Sequence, residues 1–317
     1  MCAIFGFLNY GKKISANTLK GLLRALSVAA ESRGTDATGI SYVNNGNIVT
    51  FKKAKPAHRV KLYFPKDTTA VIGHTRFTTQ GSEKKNYNNH PFEGKTESHN
   101  FALAHNGVLY NDKELRKEKD LPKTQIETDS YIAVQLIEKE NAVDSNSIKS
   151  MAESVLGGFV FTILRDDNTL FLVKGDNPIT LLHFSELGLY VYASTTTILT
   201  SALKAVKLSS ACEEVPVNNG EIVRIDSDGK LSVSTFEERI PERSCRSWFS
   251  WYGYDFENKN EDYTNDLLLI CGCYGVDRED VEMLLAFGYS CDEIEEMLLD
   301  SDLFEEAMEE LKTLHQR

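Results

Sequence analysis

Apolar residues run unbroken through positions 3–8 (Ala-Ile-Phe-Gly-Phe-Leu), the pattern of a short strand buried on both faces. The period then changes. Leu19, Leu22, Leu23, Leu26 and Val28 recur at three- and four-residue steps, which predicts an amphipathic helix over 17–31. Two β-prone segments, 39–43 and 47–51, flank Asn44-Asn45-Gly46 and read as a hairpin. Positions 70–74 and 101–105 are further strands. Helices are predicted over 129–139, from Ile132, Val134, Leu136 and Ile137, and over 147–155. A series of strands follows at 159–164, 170–173, 189–192 and 221–225. Strands and helices come in blocks, which favours antiparallel layers over a doubly wound parallel sheet.

Beyond residue 240 the pattern is different. Residues 241–264 hold Trp248, Phe249, Trp251, Tyr252, Tyr254 and Phe256, an aromatic linker expected to pack rather than to swing freely. Residues 265–317 carry short amphipathic repeats: Val281, Leu284, Leu285; Ile294, Met297, Leu298; Phe304, Ala307, Met308, Leu311. Ser290 and Asp302 stand as possible caps. Charge follows the same division. The chain carries −12 overall, yet residues 241–317 hold 20 acidic and 6 basic residues, a net of −14, which leaves +2 for residues 1–240. The expected organisation is a main domain at 2–240, the linker, and an acidic helical bundle at 265–317.

Composition narrows the class. With 41% hydrophobic and 26% charged residues, the 317-residue chain is ordinary for a protein with a sizeable core. No stretch approaches the ~18 apolar residues that span a bilayer, and no secretory signal opens the chain, so a cytoplasmic protein without a membrane role is expected. The acidic end disfavours nucleic acid. The six cysteines read as reduced thiols. Cys271-Gly-Cys273 lacks a second ligand pair and sits beside the apolar run 267–270, so it reads as core.

The dipeptide Met1-Cys2 is chemically suggestive. Loss of Met1 leaves a cysteine with both a thiol and a free α-amine, a nucleophile and a base on one residue. Polar clusters follow at the ends of the predicted strands: 33–39 (Arg-Gly-Thr-Asp-Ala-Thr-Gly), 73–81 (Gly-His-Thr-Arg-Phe-Thr-Thr-Gln-Gly), 88–92 (Asn-Asn-His-Pro-Phe), 104–108 (Ala-His-Asn-Gly-Val) and 127–130 (Glu-Thr-Asp-Ser). Taken singly each has a plain structural reading. Asn106-Gly107 is the signature of a hairpin turn, Thr128 or Asp129 of a helix cap, and Arg76 of a surface cation. His74, His90 and His105 show no metal-ligand spacing, and no metal is expected.

Taken in order, Cys2, the 33–39 cluster, His74-Thr75-Arg76-Phe77, Asn88-Asn89-His90-Pro91, His105-Asn106-Gly107 and Glu127-Thr128-Asp129 resemble the class II glutamine amidotransferases of the N-terminal-nucleophile hydrolase superfamily, over residues 2–240. The resemblance implies an α+β fold, a four-layer αββα sandwich of two mainly antiparallel sheets, here with a small C-terminal helical extension. It implies that Cys2 attacks the side-chain amide of glutamine, with its α-amine as base. Asn106 and Gly107 would form the oxyanion hole. Arg76 would hold the substrate carboxylate and Asp129 its ammonium. Thr79 and Phe77 would lie against the substrate, Arg33 would buttress Cys2, and no cofactor is implied. Charge logic agrees, because an amino acid head presents one anion and one cation to Arg76 and Asp129. Four departures stand out: Ala3 where the family usually has Gly, Phe77 for a frequent Trp, Gln80 for a frequent His, and Ala193-Ser194-Thr195 without the usual acidic residue.

Residues 241–317 contain no Gly-rich phosphate loop and no basic cluster, so they cannot house an ammonia-consuming synthase. Three readings remain. In the first, the chain hydrolyses glutamine and passes ammonia to a separate protein docked through the C-terminal extension, or releases it. In the second it hydrolyses another γ-glutamyl compound. In the third it is a non-catalytic interaction protein.

Overall fold

The computed structural model describes residues 2–238 and, beyond them, residue 271, residues 276–290 and scattered positions up to 311. The chain divides into two compact units, Met1–Pro241 and Glu242–Arg317.

The N-terminal unit opens with β1 (Ala3–Asn9), every residue of which is buried. Then come α1 (Ala16–Ala29), the hairpin β2 (Ala37–Asn44) and β3 (Asn47–Lys53), β4 (Ala70–Arg76), β5 (Phe92–Lys95) and β6 (Asn100–Leu109). Three helices follow: α2 (Asp112–Glu118), α3 (Tyr131–Glu140) and α4 (Ser145–Ser154). The remainder is β7 (Gly157–Arg165), β8 (Leu170–Lys174), β9 (Thr180–Phe184), β10 (Leu189–Ala193), α5 (Thr196–Ala205), β11 (Glu213–Val215), β12 (Glu221–Ile225) and β13 (Leu231–Thr235). The strands form a seven-stranded sheet, β11-β9-β10-β1-β4-β2-β3, and a six-stranded sheet, β13-β12-β8-β7-β6-β5, and neighbouring strands pair antiparallel throughout.

The side-chain alternation of a strand explains the layering. Ala3, Phe5 and Phe7 of β1 pack with Leu19, Leu22, Leu23 and Leu26 of α1 and Ile198, Leu199 and Ala202 of α5. Ile4 and Leu8, on the opposite face, join Ala102, Ala104, Val160, Leu164, Leu172 and Tyr192 in a core between the sheets. Phe159, Phe161 and Ile163 of β7 turn outward to a third core with α3 and α4. Three apolar interfaces hold four layers, α on β on β on α, as expected. A strand sandwiched on both faces has no solvent side, which is why 3–8 is continuously apolar. Gly73, directly across from Phe5, leaves room for that ring: a Cβ there would lie 2.3 Å from it.

Local signals agree with the elements they start. Ser15 caps α1 by accepting the Thr18 N–H. Asp144 and Ser147 form a reciprocal capping box on α4. Asn45 and Gly46 take the positive φ values of 50° and 73° that a two-residue hairpin loop needs. Other elements are absent from the sequence reading: α2, α5, β5, β9, β11 and β13. One reading is corrected. Asn106-Gly107 is no hairpin turn but lies within β6, opposite Val160 and Phe159 of β7.

In the C-terminal unit, α6 (Arg278–Phe287) ends on Gly288 at φ 109°, a left-handed cap. Ser290 donates to and accepts from Glu293, the reciprocal geometry of a helix start. Cys271, Val281, Leu284, Ile294, Leu298, Phe304, Met308 and Leu311 share one core. The aromatic linker, Cys273 and Asp302 lie outside the described residues. Among the described residues no helix is long and apolar enough to cross a membrane.

Candidate active site

Cys2 sits just ahead of β1, and the register brings its neighbours to it. Ala3 pairs with Thr75 of β4, so the strand ends Cys2 and Arg76 lie side by side, and Ala37 of β2 flanks Arg76 on its far side. The Cys2 Sγ is 3.4 Å from both backbone polar atoms of Phe77, accepting from its N–H and positioned to donate to its carbonyl. Arg33 donates from Nε to the Cys2 carbonyl at 2.9 Å. Ser194 Oγ accepts the Ile4 N–H at 2.9 Å and fixes the start of β1. Burial pushes the Cys2 thiol above its ordinary range, against the opposing pull of the Phe77 N–H and of the Arg76 charge. The thiol is therefore protonated at neutral pH and needs a base to become a nucleophile.

Arg76 is buried at the end of β4. Its Nη1 donates to Asn89 Oδ1 at 2.7 Å, and its Nη2 to the Gln80 and Gly81 carbonyls at 2.5 and 3.0 Å. These bonds engage three of the five N–H groups of the guanidinium, the other two being Nε–H and one Nη1–H. Asp129, also buried, precedes α3. Its Oδ2 accepts the Leu109 N–H at 2.7 Å and its Oδ1 the Ser130 hydroxyl at 3.2 Å. Burial pushes this carboxyl up, and the Leu109 and Ser130 bonds and the Arg76 charge only partly oppose that. Cys2, Arg76 and Asp129 come from three distant stretches of sequence, yet each thiol or charge acts on the others.

Asn106 and Gly107 lie on β6. The Asn106 Nδ2 is buried and has no hydrogen-bond partner. A buried amide donor left unpaired costs free energy, so its presence calls for an acceptor that arrives from outside. Gly107 has φ 148°, and a Cβ there would lie 1.9 Å from the Gly158 carbonyl oxygen. Only glycine fits. β6 is tied to the Cys2 sheet by His74 Nε2, 2.9 Å from the His105 carbonyl, and His74 is itself the partner of Ile4 on β1.

His74, His90 and His105 gather behind these residues, all buried. The His74 and His90 rings stack at 4.2 Å, and His90 lies 4.4 Å from the Phe92 ring. Burial lowers all three, His74 and His105 to about 3, so they are neutral rings in an aromatic pile. Among the described residues no group of three or more His, Cys, Asp or Glu side chains could hold a metal ion.

Thr79 and the Phe77 side chain are exposed in the loop after β4; Phe77 meets Cys2 through its backbone. Neither Thr128 nor Asp129 caps a helix: Ser130 holds the cap position of α3, and the Thr128 hydroxyl is buried without a partner. The residues missed are those that hold the others in place. Asn89 receives Arg76, Ser130 bridges Asp129 to His105 Nδ1 at 2.7 Å, and Asn177 reaches the Asn106 carbonyl. Asn88 and Lys85 both bond Glu127, lacing the loop after β4 to the approach to α3. Asn88-Asn89 and Ser130 stood inside recognised clusters, but nothing in the sequence pairs them with partners 13 to 39 residues away. Thr195 caps α5 by accepting the Ile198 N–H.

Residues 74–207 match the family described as glutamine amidotransferase domain. Glutamine–fructose-6-phosphate aminotransferase (isomerizing) of Staphylococcus aureus is 30% identical over 240 residues, which is 73% of this chain and 38% of that protein. Two solved structures share the fold. One is the allosteric regulatory enzyme of purine biosynthesis (TM-score 0.59, 20% identity, 75% of this chain and 50% of that one). The other is glutamine phosphoribosylpyrophosphate amidotransferase from B. subtilis (TM-score 0.58, 18% identity, 86% and 58%). The N-terminal unit is a glutamine amidotransferase domain of class II, with the N-terminal-nucleophile hydrolase fold. The chain spans less than two fifths of the length of the S. aureus relative.

Proposed function

We propose that the N-terminal unit hydrolyses the side-chain amide of glutamine through a γ-glutamyl thioester on Cys2. The observation that carries this reading is the gathering of a half-buried thiol, a buried cation and a buried anion, with an unpartnered buried amide donor on β6, the strand whose Leu109 N–H bonds Asp129. That set matches an amino acid head together with an amide carbonyl.

In this reading Arg76 receives the α-carboxylate through the N–H groups its loop contacts leave, and Asp129 receives the α-ammonium. An incoming cation offsets the burial that raises the Asp129 carboxyl, so binding favours the carboxylate form. Removal of Met1 frees the Cys2 α-amine, whose ordinary pKa near 8 leaves it partly unprotonated at neutral pH. The amine takes the thiol proton as sulfur attacks Cδ. Asn106 Nδ2 and the Gly107 N–H hold the resulting oxyanion, each worth about 3 kcal/mol. The C–N bond breaks as the amine returns the proton, giving ammonia and the thioester. Water adds to the thioester, and glutamate and the free thiol are released. Arg33 buttresses Cys2 through its carbonyl, while Phe77 and Thr79 border the opening.

Residues 2–240 form the catalytic part of this proposal, 241–264 the connection and 265–317 an acidic docking element for a separate ammonia-consuming protein. The test is glutamate release from glutamine and from a panel of N-substituted γ-glutamyl amides. Glutamine as the best substrate supports the reading. A preference for a bulky amide favours the hydrolase of another γ-glutamyl compound, a reading that the exposed Phe77 and Thr79 side chains keep open. No turnover of any of them contradicts both.

A further inference from the structure

We propose that Asn177 is a positioning residue for the oxyanion hole: its side-chain amide holds the 106–107 peptide so that the Gly107 N–H faces the reacting carbonyl. The inference rests on the hydrolase reading above and adds to it the group that aims one of the two donors.

Asn177 lies three residues beyond the end of β8 and donates from Nδ2 to the Asn106 carbonyl at 2.9 Å. The C=O of residue 106 and the N–H of residue 107 belong to one planar trans peptide and point in opposite directions. Whatever fixes the carbonyl therefore fixes the N–H. The direction follows from the strand. β5 pairs with β6 only as far as Leu103, so from 104 onward one edge of β6 has no strand beside it. On that edge the His105 carbonyl meets His74 Nε2 at 2.9 Å, and the Leu109 N–H donates to Asp129 at 2.7 Å. The period of two places the Gly107 N–H on the same edge, between these contacts. The Asn106 carbonyl points the other way, to Asn177.

Ordinary ladder geometry does not secure this peptide alone, because Gly107 departs from strand conformation at φ 148°. The glycine is wedged instead. A Cβ on it would lie 2.7 Å from Asn177 Nδ2 and 1.9 Å from the Gly158 oxygen, so Asn177 and the β7 backbone close off one side. A donor on the carbonyl also polarises the peptide and strengthens its N–H as a donor, since linked hydrogen bonds reinforce one another.

The test uses the full chain with Asn177→Ala and the isosteric Asn177→Asp, which keeps the shape and replaces the donor with an acceptor. We expect kcat for glutamine to fall roughly 10- to 100-fold in Asn177→Ala, and further in Asn177→Asp, while KM stays within about threefold. The second readout is independent of activity. Labelling with 13C-carbonyl asparagine and 15N-glycine lights up only the Asn-Gly pairs, at Gly46, Gly107 and Gly220. The Gly107 amide resonance should shift in both variants while the other two stay. An unmoved Gly107, a kcat within about twofold of wild type, or a loss confined to KM would overturn the inference. A wild type that hydrolyses no γ-glutamyl amide overturns the hydrolase reading itself; a Gly107 signal that still moves then makes Asn177 a structural contact only.

Discussion

A thiol that burial keeps protonated, a guanidinium and a carboxylate make opposite demands on their surroundings, and the site meets them by placing the three together. Arg76 is committed to Asn89, Gln80 and Gly81 through three bonds, so it shapes its own loop as well as any ligand. Asp129 is the less satisfied partner, held up by burial. If Asp129 holds the substrate ammonium as proposed, Asp129→Asn removes a charged partner worth about 1.5–3 kcal/mol, so KM for glutamine should rise about 10- to 100-fold with kcat largely kept, measured by steady-state glutamate release. Cys2, Arg76, Asp129, Asn106 and Gly107 were legible as residues because each sits in a short, unusual cluster. Their supports were not, because Asn89, Ser130 and Asn177 act through single hydrogen bonds across long sequence separations.

At the scale of elements, legibility followed burial. β1, β4 and β7 are covered on both faces and announce themselves by continuous apolar runs. β11 has three residues, none buried, and β13 is a partly exposed edge strand, so neither leaves a periodic trace. Helix α5 begins Thr-Thr and fully buries Ile198, Leu199 and Ala202, with Leu203 partly buried beside them. The turn signal that Asn106-Gly107 gives when taken alone does not hold, for a related reason. A dipeptide signal reports what the backbone allows locally, while the ladder with β7 decides what it does. Gly107→Ala should abolish activity and lower Tm sharply, as its Cβ meets the β7 backbone. By contrast, Asp144→Ala removes the capping box of α4 and should cost about 1 kcal/mol in chemical denaturation while leaving kcat and KM as they are.

For the molecule as a whole, the buried histidine pile makes stability depend on pH. His74 and His105 are held neutral down to about 3, and His90 is lowered in the same direction, all chiefly by burial. Below the ordinary histidine value near 6.5 the unfolded chain takes up protons that the folded chain refuses. The stability these groups contribute is present above that value and is lost as pH falls toward 3, by up to about 1.4 kcal/mol per pH unit for each. The buried carboxyl of Asp129 works in the opposite sense, its raised pKa favouring the fold as pH drops. Thermal melts from pH 7 to pH 4 should therefore fall less steeply for His90→Phe, which keeps an aromatic ring between His74 and Phe92, than for wild type. The two units have separate cores, so a chain ending at Pro241 should fold and keep the glutamine rate of the full protein. Insolubility of that fragment would instead make the extension a structural cover.

On the proposed mechanism Cys2, as the first residue of the mature chain, is the nucleophile. Intact and peptide mass spectrometry after incubation with a glutamine-mimicking electrophile tests it most directly. The expected result is a chain that begins at Cys2 and carries one adduct, on the peptide containing Cys2, with none on the other five cysteines. An adduct on another cysteine with Cys2 untouched, or turnover by a chain that still carries Met1, would contradict it.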